Sequence, residues 1–355
     1  MGLGLSEFDL IKRYFTRPTP GCVLGVGDDA ALLRVADGME LAVSTDMLVS
    51  GTHFFADADP YLLGHKTLAV NLSDLAAMGA QPRWATLSLS LPEANEHWLE
   101  RFSAGFFALA DAHGVDLAGG DTTRGPLNLC VTIMGEVPKG RALRRSGARP
   151  GEDVWVSGQL GAAAMALAHL QGQIILPEAA FAACAARLHQ PQPRVELGLA
   201  LRGIASSAID VSDGLLADLG HVLDQSGVGA ELAFDALPVP PALQAGKGLS
   251  RARPAPTKST PVGEQAGVGA GLAREASCAG QSSLLIRCIL SGGDDYELCF
   301  TAPTAMRAEI DRIAARSGVA LTRIGVITSE SACIVRAEDG SVMPITEIGY
   351  DHFRY

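Results

Sequence analysis

Between Trp84 and His113 the hydrophobic spacing of the chain switches from strict alternation to helical. WATLSLSL, Trp84 to Leu91, alternates apolar and polar residues and reads as a β-strand, whereas Glu96 to His113 repeats its apolar residues at helical intervals and stops at Gly114. Each such element buries only part of its surface and needs another to cover it, so a strand followed directly by a long amphipathic helix commits the chain to packing sheet against helix. The pattern recurs on both sides. Cys22 to Phe55 reads strand, loop, strand, loop, with an aspartate in each loop, and Tyr61 to Met78, carrying Leu62, Leu63, Leu68, Leu72 and Leu75 and closed by Gly79, reads as one or two helices. A further strand, Leu127 to Val137, follows a GGDT turn. The expected fold class is α/β.

With 355 residues, 48% of them hydrophobic, the chain can bury one large core or two domains. Pro138 to Glu152, PKGRALRRSGARPGE, has no apolar periodicity and is rich in Gly, Pro and Arg, the composition of a connection. We therefore expect an N-terminal domain over 1–137, a linker over 138–152 and a C-terminal α/β domain over 153–355. In the latter, a strand at Asp153 to Ser157 precedes an Ala-rich helix from Ala162, helical text to Leu201 and a strand-like approach to Asp210. Residues 245–283 consist mainly of Gly, Ala, Pro, Ser and charge and read as a mobile surface insertion. Periodicity resumes at Leu284 to Ser291, with a strand at Tyr296 to Thr301, a helix at Ala305 to Arg316 and closing strands.

Several function classes fall away. A formal charge of -11, from 39 acidic and 28 basic residues, argues against a nucleic-acid backbone as partner. The longest apolar stretch, Leu160 to Leu170, is too short to span a bilayer, and Met1 to Phe15, interrupted by Glu7, Asp9, Lys12 and Arg13, does not read as a signal. Seven cysteines with no C-x-x-C imply reduced thiols in a cytoplasmic protein and give zinc no support.

The acids are concentrated in six short segments beside Gly, Ser or Thr: GVGDDA (Asp28, Asp29), STD (Asp46), NLSD (Asp74), GGDT (Asp121), DVSDG (Asp210, Asp213) and GGDDYE (Asp294, Asp295). Any one is ordinary turn chemistry. Together they offer hard oxygen ligands on backbone free to approach a ligand, a donor set suited to Mg²⁺. Two like charges ~4 Å apart repel by ~4 kcal/mol at an effective dielectric of about 20, so convergence of these carboxylates demands cations. Bridging Mg²⁺ ions would in turn hold a polyphosphate that the acids alone repel. Lys66, Arg124, Arg144, Arg145 and Arg149 are the available phosphate clamps, although the arginines equally fit a solvated linker.

Familiar ATP machinery is absent from the sequence. Gly246-Lys247 is preceded by Pro241 where a Walker A loop needs glycine and followed by Gly248, and there is no HRD, DFG, G-x-S-x-G or H-E-x-x-H. A metal-dependent ATP enzyme, a phosphohydrolase and a non-catalytic metal-binding protein all remain open on these residues alone.

The blocks GVGDDAALL, STDMLVSGTHF, HKTLAVNLSDLAAMGA, GGDTTRG, GRALRRSGARPGE, AIDVSDGLLADLGH, SGGDDYELCFT and the tail GYDHF resemble, in order and over almost the whole chain, the thiamine-monophosphate kinases. These belong to the aminoimidazole-ribonucleotide-synthetase-like superfamily. The resemblance implies a two-domain architecture, an N-terminal sheet domain that pairs in a homodimer, and ATP bound at the cleft with several Mg²⁺ ions. It implies metal ligation by Asp29, Ser44, Thr45, Asp46, Asp74, Asp121, Asp210 and Asp213. Gly120, Asp121, Arg145 and Ser212 would line the ATP site, while His53, Asp294 and Tyr350 would contact thiamine monophosphate. Two departures stand out: Asp294 occupies a position where members often carry Glu, and the insertion before Ser291 is longer than usual. The implied reaction is direct in-line transfer of the ATP γ-phosphoryl group to the phosphate of thiamine monophosphate, giving thiamine diphosphate. That acceptor, with a second pKa of ~6, needs no strong general base.

Overall fold

In the computed structural model, residues 6–241, 283–345 and 348–350 are described. The expected insertion at 245–283 lies outside them except for Ser283, as do the last residues of the GYDHF block. Helices, in chain order, are α1 (Glu7–Leu10), α2 (Pro60–Ala77), α3 (Glu96–His113), α4 (Ala162–Leu170), α5 (Glu178–His189), α6 (Val195–Leu201), α7 (Leu215–Ser226), α8 (283–291) and α9 (Arg307–Ser317). The strands are β1 (Cys22–Leu24), β2 (Leu32–Leu33), β3 (Met39–Val49), β4 (Gln81–Leu91), β5 (Asp116–Arg124), β6 (Asn128–Pro138), β7 (Asp153–Ser157), β8 (Ser207–Val211), β9 (Gly229–Ala233), β10 (Glu297–Ala302), β11 (Leu321–Thr328) and β12 (Cys333–Arg336).

Two sheets carry the fold. The first has the order β3-β6-β4-β5, antiparallel except for the parallel β4–β5 pair; the second has the order β12-β9-β11-β7-β10-β8, with one parallel pair, β12–β9. Strict alternation decides what each face of the first sheet does. Leu87, Leu89 and Leu91 of β4 and Leu129, Val131 and Ile133 of β6 point into a core with Leu68, Leu72 and Leu75 of α2, leaving the other face open. The second sheet is buried on both faces. Trp155, Ala208, Leu298 and Phe300 join the core that contains α2, α3 and α6, while Val154, Val156, Ile209 and Val211 join another with α4, α7 and α8. Layers therefore run sheet, helices, sheet, helices, with α2 between the two sheets.

Local chemistry sets the ends of the central helices. Asp59 caps α2, its carboxylate accepting the Tyr61 and Leu62 N–H groups at 2.9 and 3.1 Å, and Pro60 supplies a pre-set first turn. Asn95 caps α3 through the Trp98 N–H at 3.0 Å, and Gly114 ends it at φ 64°. The two helices touch backbone to backbone, because a Cβ on Gly64 would run into the Phe102 carbonyl and one on Gly105 into the Tyr61 carbonyl. Tyr61 to Met78 thus forms one helix, not two.

Two expectations are corrected. STD does not lie in a loop but in the middle of β3, and GGDT is not a turn but part of β5. Both β3 and β5 are edge strands, where one side of the backbone stays unpaired and polar or glycine residues cost the ladder least. Among the described residues no helix is long and apolar enough to cross a membrane.

Candidate active site

The acidic segments meet where α2 passes between the sheets. On its last turns α2 presents Asn71, Ser73 and Asp74. The Asn71 side-chain oxygen accepts the Asp46 N–H at 3.1 Å while its amide donates to the Thr67 carbonyl at 3.1 Å, which fixes the amide's orientation. The Ser44 hydroxyl donates to the Asp74 carboxylate, and the Ser73 hydroxyl donates to Asp210 at 2.8 Å. Ser44 and Asp46 alternate toward α2 from β3, and Asp210 comes from β8 of the second sheet. STD, NLSD and DVSD, remote in sequence, are joined by hydrogen bonds.

Their electrostatics are those of crowded acids out of water. Burial, then the charges of Asp74 and Asp213, raise the Asp46 pKa to about 7. Asp74 is also raised by burial, against the opposing pull of the Ser44 hydrogen bond and the Arg145 guanidinium. Burial and the Asp74 charge push Asp210 well above the carboxylate range. The loop after β8 is shaped by Asp218, whose carboxylate accepts the N–H groups of Ser212, Asp213 and Gly214 at 3.0, 3.0 and 3.1 Å. Even so, burial and the Asp213 charge lift Asp218 to about 7.

Two more segments close on this loop. The Tyr350 N–H donates to the Asp213 carbonyl at 3.0 Å, bringing the half-exposed tyrosine beside it. The Asp294 N–H donates to the Ser212 carbonyl at 2.8 Å, and the Tyr296 N–H to that of Val211 at 2.8 Å. Asp294 and Tyr296 hold left-handed φ values of 67° and 49°, a strained pairing for side-chain-bearing residues. The Asp294 carboxylate accepts from the Tyr296 hydroxyl and pairs with Lys66 of α2, each at 3.0 Å. Beyond it, Asp295 accepts the Gly161 N–H that opens α4, and Glu297 is gripped by Arg194 and by Ser157.

Other residues singled out in the sequence sit apart from this inner cluster. Asp29 is exposed in the loop between β1 and β2, its N–H donating to Asp28 at 2.9 Å. Thr45 faces away from α2 and meets Thr132 at 2.8 Å on the open face of the first sheet. Gly120 and Asp121 are exposed on β5, and Asp121 pairs in register with Ser88. Three strand spacings, roughly 14 Å, separate the edge strands β3 and β5 that carry Asp46 and Asp121. Arg145 is exposed beside Asp74, in a segment anchored to β8 by the Ala208 N–H to the Arg144 carbonyl at 2.9 Å. The His53 Nδ1 accepts the Val49 N–H at 2.9 Å in the turn that follows β3.

Comparison with known proteins decides the family. A thiamine-monophosphate kinase from Salmonella typhimurium is 43% identical over 99% of both chains. The chain belongs to the thiamine-monophosphate kinase family. A crystal structure of thiamine-monophosphate kinase from Stenotrophomonas maltophilia K279a superposes with a TM-score of 0.76 at 45% identity, covering 91% of this chain and 93% of that one. A second structure, described as AaThiL complexed with AMPPCP and TMP, gives a TM-score of 0.69 at 28% identity over 98% and 96% of the chains. Residues 27–137 match the family model for the AIR synthase related protein, N-terminal domain. The AIR-synthase-like α/β fold expected from the motifs is therefore the fold of this thiamine-monophosphate kinase family member.

Sequence reasoning missed Asn71, Ser73 and Asp218, which hold the acid-bearing segments through hydrogen bonds. Asp218 left a signal: an acid in the first turn of the helix that follows DVSDG, where unpaired backbone N–H groups collect. Asn71 and Ser73 left none beyond their polarity inside an apolar helix.

Proposed function

We propose that this protein phosphorylates thiamine monophosphate to thiamine diphosphate with ATP, through Mg²⁺ held by the acids around the C-terminal half of α2. The observation that carries this reading is the joining of STD, NLSD and DVSD into one buried, mutually repelling group. Among the described residues, no three of His, Cys, Asp and Glu form a ready-made inner shell. Mg²⁺ keeps several of its waters, so carboxylates that crowd without converging suit it. When bound, Mg²⁺ supplies positive charge that neutralises the two anionic reactants and the charge developing between them.

The residues divide the work. Asp46, Asp74, Asp210 and Asp213, with Ser44, are the inner metal ligands, and Arg145 beside Asp74 offers a guanidinium to ATP phosphate oxygens. Ser212 lines the nucleotide site with its side chain, on a loop whose backbone is fixed by Asp218 and Asp294. Thr45, Gly120 and Asp121 belong to the outer face and edge of the first sheet and Asp29 to the loop between β1 and β2, and we assign the metal ligands among them to a separate ion from the inner group. His53, Asp294 and Tyr350 receive thiamine monophosphate, Tyr350 being able to stack on its cationic thiazolium. No general base is assigned, since the acceptor phosphate is already largely ionised; positioning and electrostatics carry the in-line transfer. The AaThiL structure, with AMPPCP and TMP named together, supports the pairing of substrates.

The open face of β3 exposes Leu41, Val43 and Met47 at 45, 56 and 57%, an apolar stripe on an edge strand that supports pairing with a second copy as a homodimer. The break between β6, ending at Pro138, and β7, starting at Asp153, supports a domain boundary across 138–152. Six cysteines among the described residues are free thiols, in keeping with a cytoplasmic setting. The decisive test incubates purified protein with ATP, Mg²⁺ and thiamine monophosphate and separates the products. We expect metal-dependent thiamine diphosphate and ADP in equal amounts; phosphate released without an acceptor would instead identify a hydrolase.

A further inference from the structure

The middle of α2 holds a charge that the metal chemistry leaves unused. Lys66 is 4% exposed, two turns before the acids, and reaches Asp294 of the second half of the chain at 3.0 Å. Burying an ion pair costs desolvation that its attraction rarely exceeds by much, so stability is a weak reason for a lysine at this position. Two further polar side chains gather at this ion pair. Tyr296 donates its hydroxyl to the other Asp294 oxygen at 3.0 Å, and His189 from the end of α5 lies close enough that burial first, and then the Lys66 charge, lower its pKa.

This arrangement fixes the Asp294 carboxylate at both ends. One oxygen is held by the ammonium and the other by the phenol, while the backbone beneath is held in left-handed geometry by bonds to Ser212 and Val211. A carboxylate oxygen accepts two hydrogen bonds, so each keeps one lone-pair direction unused by these partners, and the side chain is 30% exposed. A carboxylate accepts hydrogen bonds and repels phosphate, so the group it holds best is a hydrogen-bond donor remote from the substrate's phosphate. In thiamine monophosphate that donor is the amino group of the pyrimidine ring.

We propose that Lys66 is a positioning residue that acts through Asp294, aiming its carboxylate at the aminopyrimidine of thiamine monophosphate, and is not a phosphate clamp. The inference rests on the reading above that Asp294 meets this substrate.

Steady-state kinetics on the full chain, with ATP, Mg²⁺ and thiamine monophosphate each varied, test it in Lys66→Met, Asp294→Asn and the double variant. Losing one charge-assisted hydrogen bond should raise the KM for thiamine monophosphate about tenfold in each single variant, with the KM for ATP changed by less than about twofold. Because both residues act as one unit, the double variant should be no worse than Asp294→Asn alone. Multiplying defects, or a rise in the KM for ATP, would overturn the proposal by giving Lys66 a contact of its own. If Lys66→Met does not fold, the double variant, in which neither charge is stranded, is compared directly with Asp294→Asn: equal KM supports the proposal and a further rise overturns it. An unchanged KM in Asp294→Asn overturns it through its premise, whereas absence of transfer in the unaltered protein fails the parent reading.

Discussion

The two long helices, α2 and α3, have 18 residues each and lie against one another, yet they are built on opposite plans. α3 buries a stripe (Leu99, Phe102, Phe106, Leu109 and Ala110) and gives its other side to solvent. α2 is buried at every position from Leu63 to Ser73, polar residues included. A helix with one wet side can leave its polar groups to water. A helix enclosed all round must find partners for them on other elements, and those partners, on β3, β8 and the loop before β10, make up the site. Enclosure between two sheets turns α2 from scaffold into a wall of the candidate site.

If this contrast holds, truncating α3 should unfold the protein and neutralising α2 should disarm it. The largest expected effect is Phe106→Ala, which opens a cavity beside the Phe102 and Phe107 rings and should cost ~3–5 kcal/mol in denaturant unfolding while leaving the kcat of the folded fraction unchanged. A lost kcat with intact stability would erase the distinction. Asp74→Asn should do the reverse, lowering kcat by about 10²–10³-fold, the usual range for removing one electrostatic contact to the transition state. Its unfolding midpoint without metal should stay level or rise, because a like charge beside Asp46 has gone.

The smallest effect sharpens the picture through pH. Burial raises the folded pKa of Asp46 to about 7, above its unfolded value, so its contribution to metal-free stability is full below the unfolded pKa of ~3.9 and is lost as pH rises through about 7. Mg²⁺ competes for the same oxygens, so its apparent affinity should increase roughly tenfold between pH 6 and 8, as calorimetric titration would read. Flat affinity over that interval would remove Asp46 from the ligand set.

The same contrast explains what could be read from the chain. The spacing in α3 fixed its range, Glu96 to His113, because only one kind of structure puts those residues on one stripe. The text of α2 allowed one helix or two, since Asn71, Ser73 and Asp74 interrupt an otherwise apolar run and nothing local says that they are enclosed. The chain alone places Asp46 and Asp121 in loops, whereas both lie in strands, for a related reason: Asp and Gly favour turns, and only tertiary pairing reveals the edge strands that accommodate them. The identities of the acids were legible; their separation across the first sheet was not, because which strands neighbour one another is settled by partners distant in sequence.

The contact between α2 and α3 has a mechanical consequence. Gly64 sits against the Phe102 carbonyl and Gly105 against that of Tyr61, so each helix lodges in a notch cut into the other. Such a joint resists sliding along the helices, because moving either glycine out of register would bring a side-chain-bearing residue against the facing main chain. Asp74 is therefore mounted on a keyed shaft, and a pull on its carboxylate is felt by α3 as well.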